Sequence, residues 1–199
     1  VDSSYIMHLA VGTSFSIIIP TSFVSVYTHN KYKAVDPSII KSYAIFVIIG
    51  VITGTTFAAF LKTKALVLFF AIIVYLLGTY LIYLKEKAED INTNSSLIPR
   101  IVFGFISGFI SAPMGIGGAV MNVPILKYFG YPINRAIGSA AAIGFVIALF
   151  GAIGFLVSGT FVEAHLPLSV GFINIPAFLI FVPITTVMAK VGANTVHKI

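Results

Sequence analysis

Residues 112–124 read APMGIGGAVMNVP, and the segment around them decides how the chain folds. Three glycines and two prolines interrupt an uncharged run, 101–126, which exceeds the roughly 20 residues that a helix needs to cross a bilayer. Glycine and proline both interrupt helices. The run therefore predicts either a kinked crossing or a segment that enters the membrane, turns at the glycines and leaves on the same side.

The composition places the whole chain in a lipid bilayer. Of its 199 residues, 58% are hydrophobic and only 9% are charged, which excludes a soluble domain. Backbone polar groups in lipid must be satisfied internally, and the alternation of barrel strands is absent, so the apolar windows are predicted to be helices. The chain is predicted to be an all-α polytopic membrane protein with uncharged windows at 5–28, 42–61, 65–84, 101–126, 136–162 and 166–189.

The charges in the loops distinguish the two paths for 101–126. Short cytoplasmic loops collect lysine and arginine. If the segment crosses, six of the 12 basic residues lie on each side of the membrane. If it returns to the same side, ten lie on one side and only Lys62 and Lys64 lie on the other. We therefore predict a re-entrant helical hairpin in a multi-pass protein of the cell (plasma or inner) membrane. The same loop charges orient the chain and do not indicate nucleic-acid binding.

The chain contains a weak internal repeat. Residues 10–14 (AVGTS) are echoed by 136–140 (AIGSA), and a Thr-Thr pair at 55–56 is echoed at 185–186. Three crossings per copy predict two inverted repeats, each with a re-entrant helical hairpin plus transmembrane helices, which is a transporter architecture. We expect a first repeat at 1–84 without its N-terminal glycine-rich hairpin, a cytoplasmic linker at 85–99 and a second repeat at 100–199 without its last helix. On this interpretation the sequence is part of a longer protein.

The glycine cluster also predicts an anion site. The second arm of the hairpin would begin near Gly118, where unpaired N–H groups and the positive end of the helix dipole favour a negative charge. Glycines at 115 and 117 permit the turn and a close approach of the ligand, with tight helix packing as the alternative. Asn122, one turn further on, is expected to face the same cavity. The predicted binding residues of this segment are Gly115, Gly117, Gly118, Ala119 and Asn122.

The repeated motif adds further candidate binding residues. In both copies a hydroxyl follows a glycine near the start of a helix, and such a hydroxyl either donates to an anion or bonds back to its own helix. These candidates are Gly12, Thr13, Ser14, Gly138 and Ser139. By contrast, the spacing of Gly104 and Gly108 predicts helix packing.

Other classes of function find little support in the sequence. All six acidic residues lie outside the apolar windows, which argues against a buried carboxylate relay and against a cation substrate. There is no cysteine, and the four histidines show no metal-ligand spacing. His8 and Ser14 are six apart on one helix and lie on different faces, so they do not form a protease dyad. We expect no enzyme activity, no cofactor and no bound metal.

At this point residues 108–126, together with Gly130-Tyr131-Pro132 and 136–139, are recognisable: the chain resembles the sulfite exporter TauE/SafE family of membrane transporters. Residues 10–14 and 28–36 of the first half agree with the same pattern. The resemblance implies transport of small sulfur-containing anions such as sulfite, thiosulfate or organosulfonates through two homologous halves. It also implies a first glycine-rich motif before residue 1. Family members often have three consecutive glycines where this chain has Ala119, whose methyl group narrows the site.

The expected function is a secondary transporter of a small anionic solute, working by alternating access. An anion channel that uses the same backbone amides is the first alternative, and a membrane scaffold without substrate is the second. The sequence does not identify the anion, the direction of transport or the coupling ion. It also leaves the oligomeric state open, and a homo-oligomer is one possibility.

Overall fold

The computed structural model describes residues 3–83, 97–162 and 166–198, and within them it consists almost entirely of helices. A 3-10 turn precedes the first helix, and a two-stranded antiparallel hairpin precedes the last. The elements are α1 (Ile6–Lys31), α2 (Pro37–Phe60), α3 (Thr63–Tyr83), α4 (Leu97–Met114), α5 (Ala119–Tyr128), α6 (Ile133–Thr160), β1 (Ser169–Val170), β2 (Ile173–Asn174) and α7 (Ile175–Val196).

Six of the helices in the described ranges are long and apolar enough to cross a membrane: α1, α2, α3, α4, α6 and α7. The prediction of an all-α multi-pass membrane protein is confirmed. Helix α5 has only 10 residues, about 15 Å at 1.5 Å per residue, which is half the thickness of a bilayer core. Helix α4 begins at Leu97, inside the predicted linker 85–99, and residues 85–96 of that linker lie outside the described residues.

The glycine-rich stretch turns the chain back on itself. Ser107 in α4 donates to Asn122 in α5 over 2.8 Å, and the Phe103 ring lies 5.9 Å from the ring of Phe129, just past the end of α5. Positions earlier in α4 therefore meet positions later in α5, which defines an antiparallel helical hairpin. A helical hairpin is therefore present, and an unbroken helix over 101–126 is excluded. That the hairpin enters and leaves the membrane on the same side stays a prediction.

Helices α1 and α6, which carry the repeated motif, pack against each other in opposite directions. Near the start of α1, Gly12 faces Phe155 late in α6, and further along α1 the Phe23 ring lies 6.2 Å from that of Phe145. Between these contacts Phe15 packs on Gly151. Most residues of the buried core come from α2 and α6, and α1 adds Val11 and Phe15.

Each copy of the motif makes the same two contacts with the other half. The glycine of each motif lies against a backbone carbonyl two residues before a helix N-cap: Gly12 against Phe172, and Gly138 against Ala34. The next residue's hydroxyl accepts a hydrogen bond from the N–H of that N-cap. These bonds run from Asn174 to Thr13 (2.9 Å) and from Asp36 to Ser139 (3.0 Å). The matched contacts agree with the sequence repeat, and the inverted orientation of the halves in the membrane stays a prediction.

Helix α4 packs on α2 through glycines of both helices. A Cβ at Gly108 would meet the carbonyl oxygen of Val47, and one at Gly54 would lie 2.8 Å from the Ala112 Cβ. The bare backbones of the two helices therefore touch, as small residues in membrane helices permit. The packing role predicted for Gly104 and Gly108 is confirmed.

The last apolar window differs from its prediction as a single helix. Residues 169–174 form the small β-hairpin, and α7 starts only at Ile175. Gly171 has φ +54°, which turns the hairpin, and Asn174 caps α7 by accepting from the N–H of Ala177. The buried Phe172 ring anchors the hairpin on α1 and α6, so that this non-helical backbone is covered by protein.

The basic residues of the described ranges divide between the two ends of the bundle. At one end His29 bonds to His197, Asp36 lies 3.9 Å from Arg135, and Arg100 donates to Ser42. These contacts join the ends of α1 and α7 and the starts of α2, α4 and α6. Only Lys62 and Lys64 lie at the opposite end, next to the Thr63–Ser4 contact. Lys85 and Lys87, which were predicted to lie at the same end as Lys31, fall outside the described residues.

Candidate functional site

The tip of the hairpin lies at the middle of the helix bundle. The carbonyl oxygen of Gly117 occupies the place that a Cβ on Gly144 would take, and a Cβ on Gly117 would lie 3.1 Å from Ile18. Ile18 and Gly144 are close to the midpoints of α1 and α6. The turn is thus held between the two longest helices, about halfway along both.

Two residues of the turn need glycine because of their backbone conformation. Gly115 has φ +66° and Gly118 has φ +71°, in the left-handed region that L side chains rarely adopt. A Cβ on Gly118 would also collide with Ile147. Gly118 is the N-cap of α5.

Three carbonyl groups of the turn, those of residues 115, 117 and 118, contact other parts of the protein. Ser14 donates to the Gly115 oxygen over 2.8 Å, the Gly117 oxygen abuts Gly144, and the Asn122 amide donates to the Gly118 oxygen over 2.8 Å. In a trans peptide the next N–H points opposite to the carbonyl. The N–H groups of Gly118 and Ala119 are therefore directed away from these contacts.

The amides that open α5 have no acceptor within the described part of the chain. Four consecutive N–H groups are in this position, those of Gly117, Gly118, Ala119 and Val120. Such groups are the orphan donors of a helix N-terminus, and here they coincide with the positive end of the helix dipole. The arrangement can hold an anion without a charged side chain.

Asn122 is fully buried, and both ends of its side-chain amide are satisfied. Its oxygen accepts from Tyr43 (3.1 Å) and Ser107 (2.8 Å), and its nitrogen donates to the Gly118 carbonyl. One N–H of the side-chain amide thus fixes the turn by donating to the Gly118 carbonyl. Sequence reasoning singled out Asn122 but missed its partners. Ser107 could have been found by its place in the helix that precedes the motif, whereas nothing in the sequence points to Tyr43.

The candidates of the repeated motif lie on either side of the hairpin tip. Ser14 contacts the turn directly, as described above. Thr13 donates to the Leu9 carbonyl and accepts from Asn174, and the fully buried Ser139 accepts from Asp36. Gly138 precedes Gly144 by six residues, about 9 Å along the helix axis. The structure therefore groups Ser14 with 115–119 and Asn122, and it places Gly12, Thr13, Gly138 and Ser139 at the two outer contacts between the halves.

A cavity of about 510 Å³ lies between α1 and α7. Ser14 and Ile18, which contact the turn, also line this cavity, together with Thr13 and Asn174. Most of the remaining wall is apolar. The cavity borders the hairpin tip through α1, and the glycines themselves are not part of its wall.

Among the described residues, no group of three or more His, Asp or Glu side chains is placed to hold a metal ion.

Comparison with known proteins agrees with this architecture. The family model for the sulfite exporter TauE/SafE matches residues 3–199. A probable membrane transporter protein of Haemophilus influenzae is 30% identical over the whole chain, which spans 75% of that protein. One from Methanocaldococcus jannaschii is 27% identical, with 96% of this chain and 70% of the relative covered. A third, from Bacillus subtilis, is 29% identical, and the match covers 76% of this chain and 62% of the relative.

No solved structure matches the chain. The family match extends over nearly the whole sequence, and the relatives carry the name of membrane transporters and not of enzymes. The chain belongs to the sulfite exporter TauE/SafE family of membrane transporters.

Proposed function

We propose that the protein is a secondary transporter of small sulfur-containing anions, such as sulfite, thiosulfate or organosulfonates, and that the anion binds at the tip of the α4–α5 hairpin. The observation that carries the proposal is the row of unpaired N–H groups at residues 117–120, midway along the bundle. No acid lies in the apolar windows to repel an anion there. The family description names sulfite, which has the charge and the acceptor oxygens that such donors select.

Alternating access is the proposed mechanism. Inverted repeats bind substrate near the bilayer midplane, where broken helices meet, and they expose the site by rocking one half against the other. The contacts of Asn174 with Thr13 and of Asp36 with Ser139 join the halves at opposite sides of the hairpin tip. We propose that these two contacts open in turn.

The cavity between α1 and α7 supports the predicted pairing of two glycine-rich hairpins. Five of the seven positions that correspond to its α1 lining are covered in this fold, where α5 and α2 pack on α6. The five buried positions are Ala136, Ser139, Ala140, Ile143 and Gly144, whereas Pro132 and Arg135, at the start of α6, are exposed. We infer that the cavity receives a second hairpin equivalent to α4–α5, so that the site lies between two tips. The segment that supplies this hairpin stays a prediction.

Transport assays in liposomes test the proposed function. Purified protein is reconstituted into vesicles loaded with thiosulfate or sulfite, and the exchange of external labelled anion is measured against its concentration. A transporter gives saturable exchange that Gly117→Leu abolishes, because the new side chain fills the space beside Ile18. Gly78→Leu is the matched control, since Gly78 on α3 has open space around it.

The same preparation separates the alternative function. An anion channel with the same amides would pass single-channel currents in planar bilayers and would show no counterflow. Vesicles with neither exchange nor current for any of the anions would refute both functions.

A further inference from the structure

Ser111 is a buried hydroxyl in the last turn of α4 that has no use in the fold. Its side chain is 2% exposed, and its Oγ has no hydrogen-bond partner in the described ranges. Other buried serines of the bundle do bond: Ser107 donates to Asn122, and Ser16 donates to the carbonyl of Gly12. A buried hydroxyl without a partner costs stability, so its presence calls for a reason outside the packing.

The position of Ser111 supplies that reason. Its Oγ lies 3.5 Å from the place that a Cβ on Gly118 would take. Gly118 is the N-cap of α5 and belongs to the row of residues with unpaired N–H groups. The free hydroxyl thus lies on the α4 side of the turn, beside the N-cap residue of α5.

Two donors that approach from different arms of a hairpin suit an anion with several oxygen atoms. The amides of 118 and 119 come from α5, and the Ser111 hydroxyl comes from α4. A sulfur oxyanion such as sulfite or thiosulfate has acceptor oxygens that diverge from one centre, so that one oxygen can meet each arm. Chloride is a single atom, so a donor on the second arm would add less to its binding.

We propose that the Ser111 hydroxyl is a substrate-binding donor that completes the amide site and selects sulfur oxyanions over chloride. This inference rests on the proposed function. The cluster of Tyr43, Ser107 and Asn122 is a positioning group in this arrangement, because it holds the Gly118 carbonyl and thereby directs the Ala119 N–H.

The test compares Ser111→Ala with Ser16→Ala in the full chain, purified in detergent. Both changes remove a buried helical hydroxyl, but the one at Ser16 bonds only to its own helix. Affinities for sodium sulfite, sodium thiosulfate and sodium chloride are measured from the rise in unfolding temperature with ligand concentration. Hydrogen bonds to charged groups are worth enough that losing one weakens binding by about tenfold or more.

We expect Ser111→Ala to unfold at the wild-type temperature or higher without ligand, since it removes an unpaired polar group, and to bind sulfite and thiosulfate at least about tenfold more weakly. Its chloride affinity should change less, and Ser16→Ala should bind all three as the wild type does. Wild-type oxyanion affinity in Ser111→Ala would overturn the inference and leave the proposed function intact. A wild-type protein that none of the oxyanions stabilises would refute the anion site itself, and the inference with it.

Discussion

At the scale of single residues, the turn depends on two glycines in the left-handed conformation and on the buried amide of Asn122. The glycines at 115 and 118 were predicted from their density alone, and their positive φ values confirm a turn. Asn122 was singled out because an amide is costly in lipid, and it is indeed buried. Its donor Tyr43 could not be foreseen, since that residue lies 79 positions away in the chain. Partners across such distances depend on how helices pack, which helix periodicity does not encode.

Replacing Gly118 by alanine should strongly destabilise the hairpin. The new Cβ would force a left-handed conformation on an L residue, lie 2.8 Å from the Asn122 amide nitrogen and collide with Ile147. Together these effects should cost about 2–4 kcal/mol. Gly78→Ala is the control, because it adds a methyl group in open space on a helix and should stabilise by about 0.5–1 kcal/mol. Thermal unfolding in detergent measures both, and equal shifts would show that the turn is not under this constraint.

At the scale of elements, apolar windows predicted the helices well and their ends less well. Window 136–162 became α6, whereas window 166–189 was divided into a β-hairpin and α7. The division follows from local signals that composition conceals: a left-handed Gly171 and the capping side chain of Asn174. Hydropathy shows that a segment is apolar, but it does not show which residue caps the start of a helix.

The start of α2 makes a prediction about pH. Burial alone raises the pKa of the Asp36 carboxyl, but hydrogen bonds from Ser38 and the Ile39 N–H, with the Arg135 guanidinium, outweigh it and hold the pKa below its ordinary value of 3.8. A lowered pKa means that the carboxylate stabilises the fold above 3.8 and that this contribution is lost as the pH falls through the folded-state value. Asp36→Ala should therefore cost about 1 kcal/mol at neutral pH, mainly through the lost cap, with little from the exposed Arg135 pair.

The difference in unfolding temperature between the wild type and Asp36→Ala, measured from pH 7 to pH 3, checks this expectation. This difference in unfolding temperature should become smaller only below about pH 4. Asp36→Asn keeps a capping side chain that does not titrate, so its difference from Asp36→Ala should stay constant over the same range. A wild-type advantage that disappears already between pH 5 and 7 would contradict the lowered pKa.

At the scale of the whole molecule, the repeat and the charge pattern predicted an arrangement that no single segment could. Two similar five-residue segments, 10–14 and 136–140, pointed to paired halves, and the structure gives Gly12 and Gly138 matching contacts on antiparallel helices. The partners of those contacts, Phe172 and Ala34, show no sequence similarity, because a glycine that packs on a backbone carbonyl does not depend on the neighbour's side chain. The relation between the halves can therefore be recognised from the two glycines in the sequence, but not from the residues that they contact.

The path of the hairpin through the membrane can be tested by labelling, since the chain has no cysteine of its own. Single cysteines are introduced at Lys31, Lys64 and Lys127, and cells are treated with a membrane-impermeant thiol reagent before and after permeabilisation. Because basic residues collect on the cytoplasmic side, Lys64→Cys should react in intact cells and Lys31→Cys only after permeabilisation. Lys127→Cys decides the topology. It follows Lys31→Cys if α4 and α5 enter and leave on one side, whereas a crossing segment would give it the labelling pattern of Lys64→Cys.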